Sequence, residues 1–135
     1  MTSNLDPNTT YTYEPATVKR AKRALSCSPF CLQLFKAMRN QSVPIGQIAG
    51  TRGIKTGYAI KAYSEARTED KLVWLINVGL LRREVDGQGL TDSFRLTPLG
   101  RAIVSEWEQR QNTIPPASLK DRLLNWLNRW LQLSL

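Results

Sequence analysis

Apolar residues recur along the chain at helical spacing, in blocks bounded by start and stop signals. After Pro15, the segment PATVKRAKRAL sets Val18, Ala21 and Leu25 on one face, and Lys19, Arg20, Lys22 and Arg23 fill the rest. Ser28 and Pro29 read as a cap and first helical position for PFCLQLFKAMRN, whose inner face carries Phe30, Cys31, Leu34, Phe35 and Met38. SVP reads as an extended link, because a residue before proline is steered away from helix. PIGQIAG reads as a short helix bearing Ile45, Ile48 and Ala49. The following GTRGIKTGYAIKAYSEAR reads as a turn and then a helical turn or two around residues 58–65. Thr68 reads as the cap of a helix through EDKLVWLINV, stopped by Gly79.

The stretch LLRREVDGQGLTDSFRLTPLG, residues 80–100, changes period. LLRREV and SFRL alternate as strands around the loop DGQGLTD. Thr97 and Pro98 then repeat the cap-and-proline signal and launch PLGRAIVSEWEQRQ, with Leu99, Ile103, Val104 and Trp107 sharing a face. NTIPPAS reads as a linker, and Ser118 caps a last helix, LKDRLLNWLNRWLQL. The expected fold is therefore mainly α with a small β-hairpin, in the connectivity of a winged helix-turn-helix with extra amino- and carboxy-terminal helices. Its expected divisions are a flexible polar tail over 1–14, a winged-helix domain over 15–111, a linker over 112–117 and an amphipathic helix over 118–135.

Particular residues carry a resemblance. Gly79-Leu80-Leu81 with Arg82-Arg83, and Arg95-Leu96-Thr97-Pro98-Leu99-Gly100, resemble the segment from recognition helix to wing in winged-helix domains, over roughly residues 28–111. The whole chain resembles a small uncharacterised family of cyanobacterial winged-helix-like proteins. The winged-helix resemblance implies either of two settings: a bacterial transcriptional regulator, or the dimerisation domain that precedes the catalytic part of small-molecule O-methyltransferases. No α/β domain or glycine-rich cofactor loop follows, so methyltransferase activity does not carry over. One departure stands out: about nine extra residues, within GIKTGYAIKAYSEA, lengthen the turn between the second and third helices of the motif.

Charge adds a class of partner. The chain of 135 residues carries +8 at neutral pH, with 41% apolar and 22% charged residues, and such a balance attracts polyanions: nucleic acid, anionic lipid or acidic protein. Residues 1–67 hold ten Lys/Arg against three Asp/Glu, whereas residues 68–111 hold six against seven. No apolar run is long enough to span a membrane, and no secretory signal is visible, so the expected address is cytoplasmic. Histidine is absent, and no paired carboxylates, phosphate loop or metal-ligand spacing appear. An enzyme, a metal site and a cofactor are therefore not expected. Cys27 and Cys31 read as reduced, small core side chains, with a redox pair as the alternative.

The candidate residues fall into two sets. Nucleic-acid contacts would come from Lys19, Arg20, Lys22 and Arg23, extended by Lys55 and Lys61, with Arg82, Arg83 and Arg95 on phosphates and Lys71 and Asn77 on base edges. Glu84, Asp86 and Asp92 flank the wing arginines, so a solvated hairpin with cross-strand ion pairs is an equal reading. The second set is apolar. Trp74 falls on the outward side of its helix and suits packing against the insertion, the last helix or a partner. Leu123, Trp126, Leu127, Trp130 and Leu131 line one side of the last helix, which suits packing on its own domain, homodimerisation or a membrane interface. Two functions follow as expectations. The first is a small DNA-binding regulator acting on double-stranded DNA. The second is a winged-helix module that binds a protein or a second copy and touches a membrane surface through its last helix.

Overall fold

The computed structural model describes residues 13–134, in a mainly helical arrangement around a small three-stranded antiparallel sheet. The tail expected over 1–14 lies outside the described residues up to residue 12. Helix α1 (Pro15–Cys27) begins with proline at its first turn, where a missing N–H costs nothing, and buries Val18, Ala21, Ala24 and Leu25. Ser28 does not open the next helix as expected. It closes α1, its hydroxyl donating to the Leu25 carbonyl oxygen at 2.8 Å. Helix α2 (Leu32–Asn40) starts only at Leu32. The reason is tertiary: Pro29 accepts from Ile60 N–H and Cys31 N–H donates to Tyr58, so this backbone is held as an extended bridge.

Strand β1 (Val43–Pro44) turns the expected link into a third strand. Proline is tolerated because β1 is the sheet edge. Helices α3 (Ile45–Ile48) and α4 (Gly50–Lys55) follow almost without pause. The GTRGIK segment, expected as a turn, is helical. Its Gly53 abuts the Ile48 carbonyl so closely that an added Cβ would sit 1.9 Å from the oxygen. The residues expected as a helical turn around 58–65 form instead an irregular strap. It is fastened by Tyr58 N–H to the Gly53 carbonyl, Ile60 N–H to Pro29 and Gly50 N–H to the Tyr63 carbonyl.

Helix α5 (Glu65–Asn77) is capped by Ser64, whose hydroxyl accepts from Arg67 N–H at 3.2 Å. It therefore starts a turn earlier than Thr68, which is buried inside the helix with its hydroxyl toward the Tyr63 carbonyl. Strands β2 (Leu81–Asp86) and β3 (Gly89–Leu96) pair from Leu81↔Leu96 out to Asp86↔Gly89, with an irregularity between Arg83 and Val85. The connection is shorter than the expected loop: a tight turn at Gly87–Gln88 in which the Asp86 carboxylate accepts from Gln88 N–H at 2.7 Å. β1 pairs with β3 through Val43↔Phe94 and Pro44↔Ser93, giving the order β1-β3-β2.

The GLL and RLTPLG segments meet. Gly79 takes a left-handed φ of 91°, which glycine adopts without penalty and which ends the α5 run. Thr97 caps helix α6 (Pro98–Arg110) through Gly100 N–H and donates back to the Gly79 and Leu80 carbonyls. Gly100 lies where a Cβ would come 2.3 Å from the Leu80 oxygen. The core runs through Leu25, Leu34, Phe35, Met38, Leu72, Leu75, Phe94, Leu96 and Ile103, all essentially sealed from solvent. Helix α7 (Leu119–Ser134) opens as expected at Ser118, with Asp121 N–H donating to the Ser118 hydroxyl and the Asp121 carboxylate accepting from Ser118 N–H. It lies against α1 and α5.

Candidate functional site

Four of the expected nucleic-acid contacts are engaged inside the protein. Lys22 Nζ lies 3.0 Å from Glu106, Arg23 Nε 3.7 Å from Asp121, Arg83 Nη2 2.9 Å from Glu69, and Arg95 Nη1 2.9 Å from Glu84. The Arg95–Glu84 pair is a cross-strand ion pair of the kind the acidic neighbours suggested. Arg83 also lies over the Phe94 ring at 4.9 Å, so it ties α5 to the hairpin. The uneven charge along the chain has a spatial counterpart. Acids of α6 meet cations of α1 and α2, through Glu106 with Lys22 and Glu108 with Arg39 and Lys36.

Lys19, Arg20, Lys55, Lys61, Lys71 and Arg82 form no ion pair among the described residues. They are scattered. Lys19 and Arg20 lie on α1, Lys55 ends α4, Lys61 is on the exposed strap, and Arg82 is exposed on β2. Lys71 sits over the Tyr63 ring at 5.0 Å, beside Arg67 at 4.9 Å. Asn77 is exposed at the last turn of α5. The first turns of α5 expose acidic Glu65 and Asp70 as well as Arg67.

Trp74 packs against the last helix, one of the three coverings expected for it. The periodicity sets it outward from the core, yet it is 5% exposed, because α7 covers it. Its indole N–H donates to the Asn125 side-chain oxygen at 2.9 Å. Further along, Arg129 Nη2 lies 2.5 Å from the Asp70 carboxylate, and Asp121 faces Arg23. Asn125, Asp121, Arg129 and Asp70 thus form a polar seam that the sequence reading did not single out. The one signal pointing to it was Trp74 itself, a large indole on an otherwise polar side of α5, which requires both cover and an acceptor.

The seam fixes which way α7 faces. Its polar side meets the body, so its apolar side faces out. Leu119, Leu123, Trp126, Trp130 and Leu131 are each more than half exposed, and Leu127 is 37% exposed. Trp126 and Trp130, one helical turn apart, stack at 6.5 Å between ring centroids. Two basic clefts border the helix where it meets α1. One, of about 240 Å³, is lined by Lys19, Lys22, Arg23, Ser26 and Asp121. The other, of about 360 Å³, brings Lys19 and Arg20 beside Asn128.

Titration behaviour follows the same contacts. The Ser118 backbone and hydroxyl, with Arg23 nearby, hold the Asp121 carboxyl below its ordinary range. Arg39 does the same for Glu108 by hydrogen bonding. Cys27 and Cys31 are free thiols and half-buried rather than core side chains, and burial pushes both upward. No group of three or more metal-ligating side chains occurs among the described residues, and no described helix is long and apolar enough to cross a membrane.

Comparison with curated proteins and with solved structures gives no match. Residues 11–129 match the sequence profile of the Npun_F0494-like family, which spans all of the helices and strands described except the end of α7, and the chain belongs to that family.

Proposed function

We propose that this protein is a winged-helix interaction module, without catalytic chemistry of its own, that docks through the outward face of α7. The order α2, β1, α3–α4, α5, β2, β3 supports the winged-helix reading, with α5 in the recognition-helix position and the β2–β3 hairpin as wing. One observation carries the functional choice. α7 turns its polar side to the body and leaves an apolar stripe with two stacked tryptophans in solvent. Exposed apolar surface of that extent marks an interaction site more often than a feature of a free-standing monomer.

A second reading, duplex DNA binding, draws on the cations left without ion pairs, above all Arg82 on β2, and on Asn77, exposed at the last turn of α5. It is the weaker of the two. α7 lies over Trp74 and Asp70 on α5, and the acids at the start of that helix repel phosphate. Fluorescence anisotropy with mixed duplex fragments over rising salt separates the readings. The docking reading expects only weak association, in the range of about 10⁻⁴ to 10⁻⁶ M typical of non-specific contacts. It also expects that association to be unaffected by Leu123→Ser/Trp126→Ser/Trp130→Ser, while the same triple variant abolishes retention of the chain on a phenyl-substituted resin. Much tighter, salt-steep binding that Arg82→Ala/Asn77→Ala weakens would replace the docking reading with the regulator.

A further inference from the structure

We propose that the surface met by the α7 face is an anionic lipid membrane, which the protein touches peripherally with α7 lying in the plane of the headgroups. The inference rests on the docking reading and names its partner. Three observations select a lipid surface over a second copy of the chain.

The first is the kind of side chain exposed. The stripe is made of leucines and two tryptophans, and tryptophan favours the boundary between headgroups and acyl chains, where a large ring and one polar N–H are both accommodated. The second is the arrangement of charge. Lys120 and Arg122 are exposed on α7 at the two borders of the stripe, and neither is ion-paired among the described residues. One helix layer behind them, roughly 10 Å away at ordinary helix packing distances, Lys19 and Arg20 line the cleft beside Asn128. That depth exceeds the screening length of about 8 Å at physiological salt, so Lys120 and Arg122 are the cations that act on a plane of lipid phosphates.

The third observation counts against homodimerisation. The acid of the described part of α7 is Asp121, and it is already committed to Ser118 and Arg23. A second α7 laid on the first would bring Lys120 and Arg122, at the borders of the stripe, toward the same cations of the copy with no free carboxylate between them, whereas paired helices ordinarily set opposite charges along their borders. The strip is also small. Sixteen residues give a helix about 24 Å long and, with side chains, about 10 Å across. That contact covers a few hundred Å², against roughly 800 Å² per partner in a standard stable interface. A membrane needs no closed interface and accepts a single helix face.

The test is flotation of the full chain with vesicles of equal parts phosphatidylglycerol and phosphatidylcholine, and with vesicles of phosphatidylcholine alone. Tryptophan emission and sedimentation equilibrium without lipid are followed in parallel. The expected result is binding to the anionic vesicles, a blue-shifted emission, and much weaker binding to the neutral ones. Trp126→Ser/Trp130→Ser should weaken binding by roughly two orders of magnitude through lost apolar burial, and Lys120→Gln/Arg122→Gln by roughly fivefold for each cation removed. All four side chains are exposed, so both variants should keep the parent melting temperature, and circular dichroism checks this. Absence of vesicle binding by a chain that sediments as a dimer, and becomes monomeric in Trp126→Ser/Trp130→Ser, would overturn the lipid assignment while leaving the docking face intact. Absence of vesicle binding by a monomer whose phenyl-resin retention does not depend on the tryptophans would overturn both.

Discussion

Replacing Asn125 by leucine should loosen α7 even though it makes the helix more apolar. Asn125 supplies the acceptor for the Trp74 indole N–H at 2.9 Å, and Trp74 is only 5% exposed. Leucine offers no acceptor and excludes water from the same place, so the N–H is stranded at a cost of about 1–3 kcal/mol. The other polar fastenings of α7 are weak. Arg129–Asp70 and Arg23–Asp121 involve partly exposed groups, and such pairs contribute about 0–1 kcal/mol each. A detached helix of this length is marginal in water, so loss of docking should appear as fraying. Hydrogen exchange by mass spectrometry reads it directly. Asn125→Leu should speed exchange of the α7 amides by roughly 5- to 150-fold, with α2 and α6 unchanged. In a Trp74→Phe background the same substitution should cost about 0.5–1.5 kcal/mol less, the worth of the hydrogen bond. Trp126→Ser should move α7 exchange by the equivalent of about 0.5 kcal/mol at most. The opposite pattern, Asn125→Leu silent and Trp126→Ser damaging, would refute the orientation of the helix.

Gly100→Ala should destabilise the whole domain by about 1–3 kcal/mol, because the new methyl meets the Leu80 backbone oxygen and not a movable side chain; urea denaturation reads the loss, and an unchanged midpoint would contradict the close packing of α6 on the α5–β2 junction. Acid should loosen the start of α7. The folded Asp121 carboxyl titrates below its ordinary value, so its contribution is fully present above about pH 4 and is lost as pH falls through the lowered folded value. Exchange of the first α7 turn should therefore quicken at low pH in the parent and be less pH-sensitive in Asp121→Asn. Both thiols are raised by burial, so alkylation by iodoacetamide should be slow at neutral pH and keep climbing with pH past about 8.5, where an ordinary thiol begins to level off. Fast labelling at neutral pH would mean that one of them is an activated thiolate.

Much of the fold was legible because its signals are local. Thr97-Pro98 and Ser118 announce helix starts through the chemistry of a single cap, and Gly79 announces a stop through a single backbone angle. Features set by distant partners were not legible. Val43–Pro44 is too short for any period to reveal it as a strand, and it exists because Phe94 and Ser93 pair with it. Ser28 and Thr68 have the composition of helix caps, but the bridge between Phe30 and Ala59 displaces one and Ser64 forestalls the other. The extra residues expected to lengthen a turn gave no sign of how they are held: backbone hydrogen bonds fasten Ile60 to Pro29, and Tyr58 and Ala59 to Gly53.

The candidate site divides the same way. The amphipathic pattern of α7 is plain in the sequence, but its direction is not, since apolar faces ordinarily turn inward. Here the buried Trp74 N–H and the charges of Asp70 and Arg23 receive the polar side. Likewise, counting arginines in the β2–β3 hairpin overstated its free charge, because Arg83 and Arg95 are held by Glu69 and Glu84. Which cations remain available depends on neighbours that sequence order does not reveal.

The central claim is that the apolar face of α7 looks outward, and acrylamide quenching of tryptophan fluorescence tests it most directly. Trp126 and Trp130 are 59% and 54% exposed, whereas Trp74 and Trp107 are 5% and 4% exposed. The parent chain should show two populations, one readily quenched and one protected, and Trp126→Phe/Trp130→Phe should leave only the protected one. Protected emission from Trp126 and Trp130 in a dilute, monomeric chain would contradict the account, because it would mean that the apolar face is turned against the body.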